Sequence, residues 1–323
     1  MRYKQVQRTD IQCSVLCLGG ANIGSTLNQQ ESFRLMDLYA DRGGTFIDTA
    51  QVYANWLPVE SSISEKTIGQ WMKSRNNRNH MIVTTKGAHP RLETMHIPRL
   101  SPIEIKLDIE ESLRNLQVDT IDLYFLHRDD TRRSVGEIIE VLNEQIKVGN
   151  IRYFGCSNWS TARVVEAEEY AHKHGLQGFS GNQVMWSLAE ANPEKLTDQT
   201  LVHMDHQMRQ LHRENRLAAF SYSPQAQGLF TKWDTGLYSK EDERINPAYQ
   251  MKKNWRRFER AHQLASDLSI TMNQVVLSYL TSQPFPTFPV IGCRVTEQLE
   301  ENLKAVDVHL TQEQLDFLEA GNQ

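Results

Sequence analysis

Short apolar, β-branched runs alternate along this chain with amphipathic helical stretches, which confines it to an α/β fold built on a parallel sheet. Eight runs read as strands: Val15–Leu18, Thr45–Ile47, Met81–Thr84, Ile121–Leu126, Ile151–Phe154, Gly181–Val184, Leu217–Phe220 and Phe288–Ile291. Helical pattern follows each one. Val135, Ile138, Ile139, Leu142 and Ile146 share one face at a period of 3.6, as do Ile105, Ile109, Leu113 and Leu116. Ser101-Pro102-Ile103-Glu104 reads as a helix start with an N-cap serine, a proline at the first helical position and a glutamate that bonds back. Ser134–Glu137, Thr271–Gln274 and Thr311–Gln314 repeat that spacing. Gly43, Gly149 and Gly175 supply left-handed helix stops.

Eight βα units within 323 residues predict a (β/α)8 TIM barrel with long strand-end loops and a C-terminal helix, in one domain over 1–323. A doubly wound sheet is the weaker reading. Its dinucleotide fingerprint, G-x-G-x-x-G, fails at Gly19-Gly20-Ala21-Asn22-Ile23-Gly24, where Ala21 stands at the second glycine. The least regular stretch, 231–253, reads as a long loop after the seventh strand, either a lid over a site or a solvated excursion.

Composition narrows the function. Thirty-five Lys and Arg against 40 Asp and Glu leave a net charge of −5, which disfavours a nucleic-acid partner. Lys252-Lys253-Asn254-Trp255-Arg256-Arg257 is basic but short. No apolar run approaches the ~18 residues of a spanning helix, so no membrane partner is expected. The N-terminal MRYKQVQRTDIQC has no apolar signal core, and Cys13, Cys17, Cys156 and Cys293 form neither a C-x-x-C nor a disulfide framework. A cytoplasmic protein with reduced thiols is the expectation. His203, Asp205, His206 and His212 lack the acidic partners and spacing of a metal site, so no metal is expected.

In a barrel, chemistry gathers at the C-terminal ends of the strands. Asp48 and then Tyr53 follow the second strand, Lys86 the third and His127 the fourth. Singly, each has an ordinary reading as cap, packing residue, surface charge or structural histidine. Together they suggest a mechanism. An ammonium at Lys86 lowers the pKa of a neighbouring phenol, Asp48 holds that ammonium, and His127 orients a carbonyl oxygen. Tyr53 then becomes an acid able to protonate a forming alkoxide, as reduction of a carbonyl by hydride requires.

Asp48-Thr49-Ala50-(two residues)-Tyr53, Thr84-Thr85-Lys86-Gly87, Leu123–His127, Gly155-Cys156-Ser157-Asn158-Trp159, Tyr222-Ser223-Pro224 and Pro289–Gly292 occur in order, followed by Gln298 and Glu301-Asn302. These motifs resemble the aldo-keto reductases from about Leu18 to Asn302. The resemblance implies a barrel that binds NADPH without a Rossmann fold, a small-molecule carbonyl substrate, and Tyr53 as general acid completed by Asp48, Lys86 and His127. It implies that Ser157, Asn158 and Gln183 hold the nicotinamide carboxamide and that Tyr222 stacks on its ring. The Ser223–Leu229 segment, with Ser223, Pro224, Gly228 and Leu229, would lie along the pyrophosphate, and Gly292, Arg294, Gln298, Glu301 and Asn302 around the adenosine. Asn and Gln amides both donate and accept, as a carboxamide demands. Arg294, with Thr296 nearby, suits a 2′-phosphate and favours NADPH over NADH, although Cys293-Arg294 replaces the common Lys-Ser.

The segment between Tyr53 and Ser64-Glu65 departs from the family's short glycine-containing link and carries Trp56 and Glu60. Trp56 and Trp186 are candidate substrate contacts. Trp56 with Arg128, Asp129 and Asp130 also suits a sugar, whose face stacks and whose edges hydrogen-bond. A second functional class is a cofactor-sensing binding protein of the potassium-channel β-subunit type, with vestigial turnover. The intact tetrad and the short N-terminus favour the enzyme. A barrel hydrolase would want paired carboxylates at strand ends, and the strand ends offer Asp48 alone.

Overall fold

Val15 and Leu16 are fully buried, yet neither enters the barrel ladder, which begins at Cys17. A computed structural model describes residues 1–215 and 217–320. Two short strands, β1 (Tyr3–Gln5) and β2 (Gln12–Ser14), first form an antiparallel hairpin. Eight strands follow: β3 (Cys17–Gly19), β4 (Phe46–Asp48), β5 (Ile82–Gly87), β6 (Ile121–Leu126), β7 (Ile151–Ser157), β8 (Gly181–Met185), β9 (Ala218–Tyr222) and β10 (Thr287–Ile291). They pair in parallel in chain order, and β10 returns to β3 to close the barrel. Each expected strand is present, shifted by at most two or three residues at its ends.

The helices are α1 (Gln29–Asp41), α2 (Ile63–Arg75), α3 (Pro102–Leu116), α4 (Val135–Lys147), α5 (Thr161–His174), α6 (His206–Asn215), α7 (Leu229–Asp234), α8 (Lys252–Leu268), α9 (Met272–Thr281), α10 (Thr296–Leu303) and α11 (Gln312–Glu319). Reciprocal capping boxes start α3 at Ser101, α9 at Thr271 and α11 at Thr311. Gly175 caps α5 at φ 64°, in the left-handed region the sequence called for.

Below the strand ends the barrel interior is aromatic. Phe46 meets Phe220 and Phe288 edge-on at 5.8 Å, and Phe125 meets Phe220 at 5.1 Å. Val6 and Ile11 of the hairpin join this cluster and plug the end of the barrel where the strands start. Room for the rings comes from Gly155 and Gly181. A Cβ on Gly155 would stand 2.4 Å from the Gly181 carbonyl oxygen, and one on Gly181 would stand 2.2 Å from the Phe220 ring.

The stretch 231–253 is not a solvated excursion. It contains part of α7, and Trp233 packs on Phe230 at 5.7 Å and on Phe258 of α8 at 5.5 Å. Asn254 bonds the Tyr249 carbonyl and both backbone groups of Glu190, joining the loops after β8 and β9. Among the described residues no helix is long and apolar enough to cross a membrane. All four cysteines are free and buried.

Candidate active site

Asp48 ends β4, and the chain turns at once, with the Tyr53 amide bonding the Ala50 carbonyl. Lys86 lies on β5, the strand next to β4, and His127 follows β6. Sequence neighbours in the barrel are therefore spatial neighbours, and the four side chains meet at one strand-end face. Lys86 Nζ donates to Asp48 Oδ2 at 2.7 Å, to the Tyr53 hydroxyl at 2.8 Å and to the Thr49 carbonyl at 2.8 Å. Asp48 Oδ1 accepts from Thr84 Oγ1 at 2.8 Å and from Gln183 Nε2 at 2.9 Å. Its carboxylate is thus fixed on both oxygens. The Tyr53 hydroxyl stands 3.5 Å from Asp48 Oδ2, too far to be held firmly, so its proton is free to turn elsewhere.

Electrostatics set the protonation states. Burial works against the charge on Lys86, but Asp48 and Tyr53 outweigh it and hold the ammonium above its ordinary pKa. For Tyr53 the expected direction is reversed. Burial pushes the phenol above its usual value, and the nearby Lys86 charge offsets this only in part. The phenol is therefore a protonated acid well past neutrality. His127 falls far below the ordinary histidine value, first through burial and then through the charges of Arg128, His89 and Lys86. It is neutral. Its Nδ1 is buried without a partner, and an orphaned lone pair is tolerated better than an orphaned N–H, which puts the proton on Nε2.

Above this cluster opens a cavity of about 1210 Å³, lined at one end by Tyr53, His127, Ser157, Asn158 and Gln183. Tyr222, Ser223, Pro224 and Gly228 line its middle, and Gly292, Arg294, Gln298, Glu301 and Asn302 its far end. Positive φ angles cluster along this wall: Asn158 (60°), Ser223 (53°), Gln227 (60°) and Gly228 (77°). Backbone held in that region by its surroundings is common at ligand sites. The donor set fits a nicotinamide dinucleotide. Gln183 Oε1 has no protein donor among the described residues, Tyr222 offers a ring face, and the exposed Arg294 guanidinium is unpaired among the described residues. A Cβ on Gly292 would meet nothing within 4 Å, so open space lies beside it.

Some expected residues are placed differently. Asn158 Nδ2 donates to the His127 carbonyl at 3.2 Å and to Ser157 Oγ at 3.1 Å, while its Oδ1 accepts from Tyr222 at 2.8 Å and from the Val202 amide at 3.0 Å. It ties the His127 strand end to the Tyr222 ring. Leu229 is buried in the core and does not reach the cavity. Nor does Trp186. Side chains alternate along β8, so Gln183 faces inward while Val184 and Trp186 face the helices. The Trp186 ring stacks on Phe285 at 5.7 Å in the hydrophobic core. Trp56 is 55% exposed, stands outside the cavity lining and meets Tyr53 edge-on at 6.4 Å. Asp129 pairs with Arg163 at 3.1 Å and Asp130 with Arg132 at 2.8 Å, so neither lines the cavity as a sugar site would require.

The sequence reading missed four contributors. Thr84 anchors Asp48, and His89 packs against His127 with ring centroids 4.8 Å apart. Gln225 and Asn273 form an amide cluster with Asn302, whose Oδ1 accepts from both, at 2.8 and 2.9 Å. Thr84 lay inside a quoted motif, and Gln225 inside the Ser223–Leu229 segment expected along the pyrophosphate. His89 and Asn273 carried no local signal. Asp205 instead bonds the Met208 amide in α6, and His212 is buried with its Nδ1 on the Leu217 carbonyl at 2.7 Å. Among the described residues no three His, Cys, Asp or Glu gather as a metal site would need.

Comparison with known proteins agrees with this geometry. The model of the Aldo/keto reductase family matches residues 15–322. The uncharacterized oxidoreductase YrpG of Bacillus subtilis (strain 168) is 31% identical over 98% of this chain and 95% of its own length. Norsolorinic acid reductase B of Dothistroma septosporum is 27% identical over 99% of this chain and 81% of its own. An aryl-alcohol dehydrogenase of Pestalotiopsis microspora is 28% identical over 96% of this chain and 79% of its own. The crystal structure of the thermostable aldo-keto reductase Tm1743 with the inhibitor epalrestat shares the fold, with a TM-score of 0.73 at 23% identity over 99% of each chain. The chain belongs to the aldo/keto reductase family and is an NAD(P)H-dependent oxidoreductase built on a (β/α)8 barrel.

Proposed function

We propose that this oxidoreductase reduces aryl aldehydes or ketones to alcohols, with NADPH as its cofactor and Tyr53 as the general acid. The observation that carries the reading is the Lys86 ammonium, 2.7 Å from Asp48 and 2.8 Å from the Tyr53 hydroxyl at the floor of the cavity. When bound, the cofactor supplies a hydride to the carbonyl carbon. Tyr53 gives its phenolic proton to the carbonyl oxygen as charge develops there, and the Lys86 ammonium stabilises the phenolate left behind. His127 directs its Nε2–H at the same oxygen and fixes where the carbonyl sits. Gln183 Oε1 receives the carboxamide N–H, Tyr222 covers the ring, and Arg294 meets the 2′-phosphate. Trp56, exposed and edge-on to Tyr53, suits an aromatic substrate, in keeping with the aryl-alcohol dehydrogenase among the relatives. Steady-state consumption of NADPH over a panel of aryl aldehydes, aldoses and ketoses tests this. Aryl aldehydes are expected to turn over fastest. Tight NADPH binding with no turnover of any member would contradict the reading and support a cofactor-sensing protein instead.

A further inference from the structure

Among the described residues three cations line the cavity: Arg128, Lys232 and Arg294. Arg294, before α10, belongs to the stretch assigned to the adenosine, and Lys232 lies on α7, which directly follows the stretch assigned to the pyrophosphate. Arg128 stands at the other end, with Tyr53 and His127, and the chemistry proposed above leaves it unused. It follows His127 directly at the end of β6 and is 7% exposed. Three bonds lock its guanidinium: Nη1 to the His127 carbonyl at 2.8 Å, Nε to Thr200 Oγ1 at 2.8 Å and Nη2 to Asp198 Oδ2 at 2.9 Å. Each Nη carries two N–H groups, so one on each remains without a protein acceptor among the described residues. Two donors are the number that the two oxygens of a carboxylate take.

The acids nearby are otherwise engaged. Asp129 is held by Arg163 and Asp130 by Arg132. The carboxylates that do line the cavity are Asp234 on α7 and Glu301 on α10, both on cofactor-side elements. Asp198 balances part of the Arg128 charge from outside the lining, and its side chain is 28% exposed, so water weakens that balance. Among the described residues the reaction end of the cavity therefore presents a pre-oriented guanidinium and no carboxylate of its own.

Resting on the reductase reading above, we infer that Arg128 is a specificity-determining residue that binds an anionic group on the substrate. The preferred substrates are oxo acids, aldehydes or ketones that carry a carboxylate. The test compares the ortho, meta and para carboxybenzaldehydes with their methyl esters under NADPH. For at least one isomer, kcat/KM of the acid exceeds that of the ester by about tenfold or more, as a charge-assisted pair provides. Arg128→Gln brings that ratio to about one, and Arg128→Lys keeps part of it. Asp198→Asn removes the balancing charge while an amide oxygen can still accept from Arg128 Nη2, and raises the ratio, which covers the case in which Arg128→Gln does not fold. Esters turned over as fast as their acids, or a ratio unmoved in Arg128→Gln and Asp198→Asn, would overturn the inference while the reductase reading stands. Turnover of neither acids nor esters would overturn both.

Discussion

Lys86 is sealed from water, and its ammonium rests on Asp48 Oδ2, the Thr49 carbonyl and the Tyr53 hydroxyl. Removing one partner of such a buried pair strands the other charge, at about 3–5 kcal/mol. Lys86→Met should therefore lose stability on that scale as well as activity. Asp48→Asn added to Lys86→Met should restore part of the stability, because no buried carboxylate is then left alone. Urea unfolding of both variants checks this, and a double variant no more stable than Lys86→Met would contradict the pairing. The raised Tyr53 phenol bears on pH. An acid must be protonated to act, and a pKa pushed upward keeps it protonated, so the reduction rate should hold level until the pH passes ~10, the ordinary phenol value. A rate falling away near neutrality would show that Lys86 dominates over burial after all.

At the scale of elements, much of the architecture was legible because the parallel strands are buried on both faces and read as apolar runs, each followed by a periodic helix. The tetrad was legible for the same reason, since every strand of a barrel ends on one face. The hairpin β1–β2 was not legible. Its two strands have three residues each and expose Tyr3, Gln5 and Gln12, too little alternation to register. Trp186 was misjudged because proximity in sequence to Gln183 hides the alternation that turns it to the opposite face. His89 and Asn273 escaped because only the closed fold brings them to His127 or to the cavity. The loop from β10 to α10 carries the cofactor prediction. Its backbone is set by the Arg294 amide on Gln298 Oε1 at 2.8 Å, which leaves the guanidinium free to meet a phosphate. Arg294→Ala should weaken NADPH binding about tenfold and leave NADH nearly unchanged, and salt should narrow the difference. Equal losses for the two cofactors by fluorescence titration would remove Arg294 from that role.

Among the described residues three histidines are buried and neutral: His89, His127 and His212. Burial lowers His89 and His212 to about 4, and His127 shifts in the same direction. At His89 and His212 the unfolded chain takes up protons near 6.5, and the folded chain refuses them until about 4. Stability should therefore be intact above pH ~6.5 and fall as the pH drops toward 4, by on the order of 3 kcal/mol for each of His89 and His212. Glu65, buried and shifted upward, works in the opposite sense and trims the loss. Urea midpoints at pH 7 and pH 5 read this out, and an unchanged midpoint would contradict it. The barrel's strand-end face exists, on this account, to put one phenolic proton beside a carbonyl. The most direct test is Tyr53→Phe, which removes that proton and little volume, with kcat and NADPH affinity measured on the same preparation. The kcat should fall by a factor on the order of 10² to 10⁴ with NADPH affinity nearly intact, and near-normal turnover in that variant would contradict the role of Tyr53 as the acid.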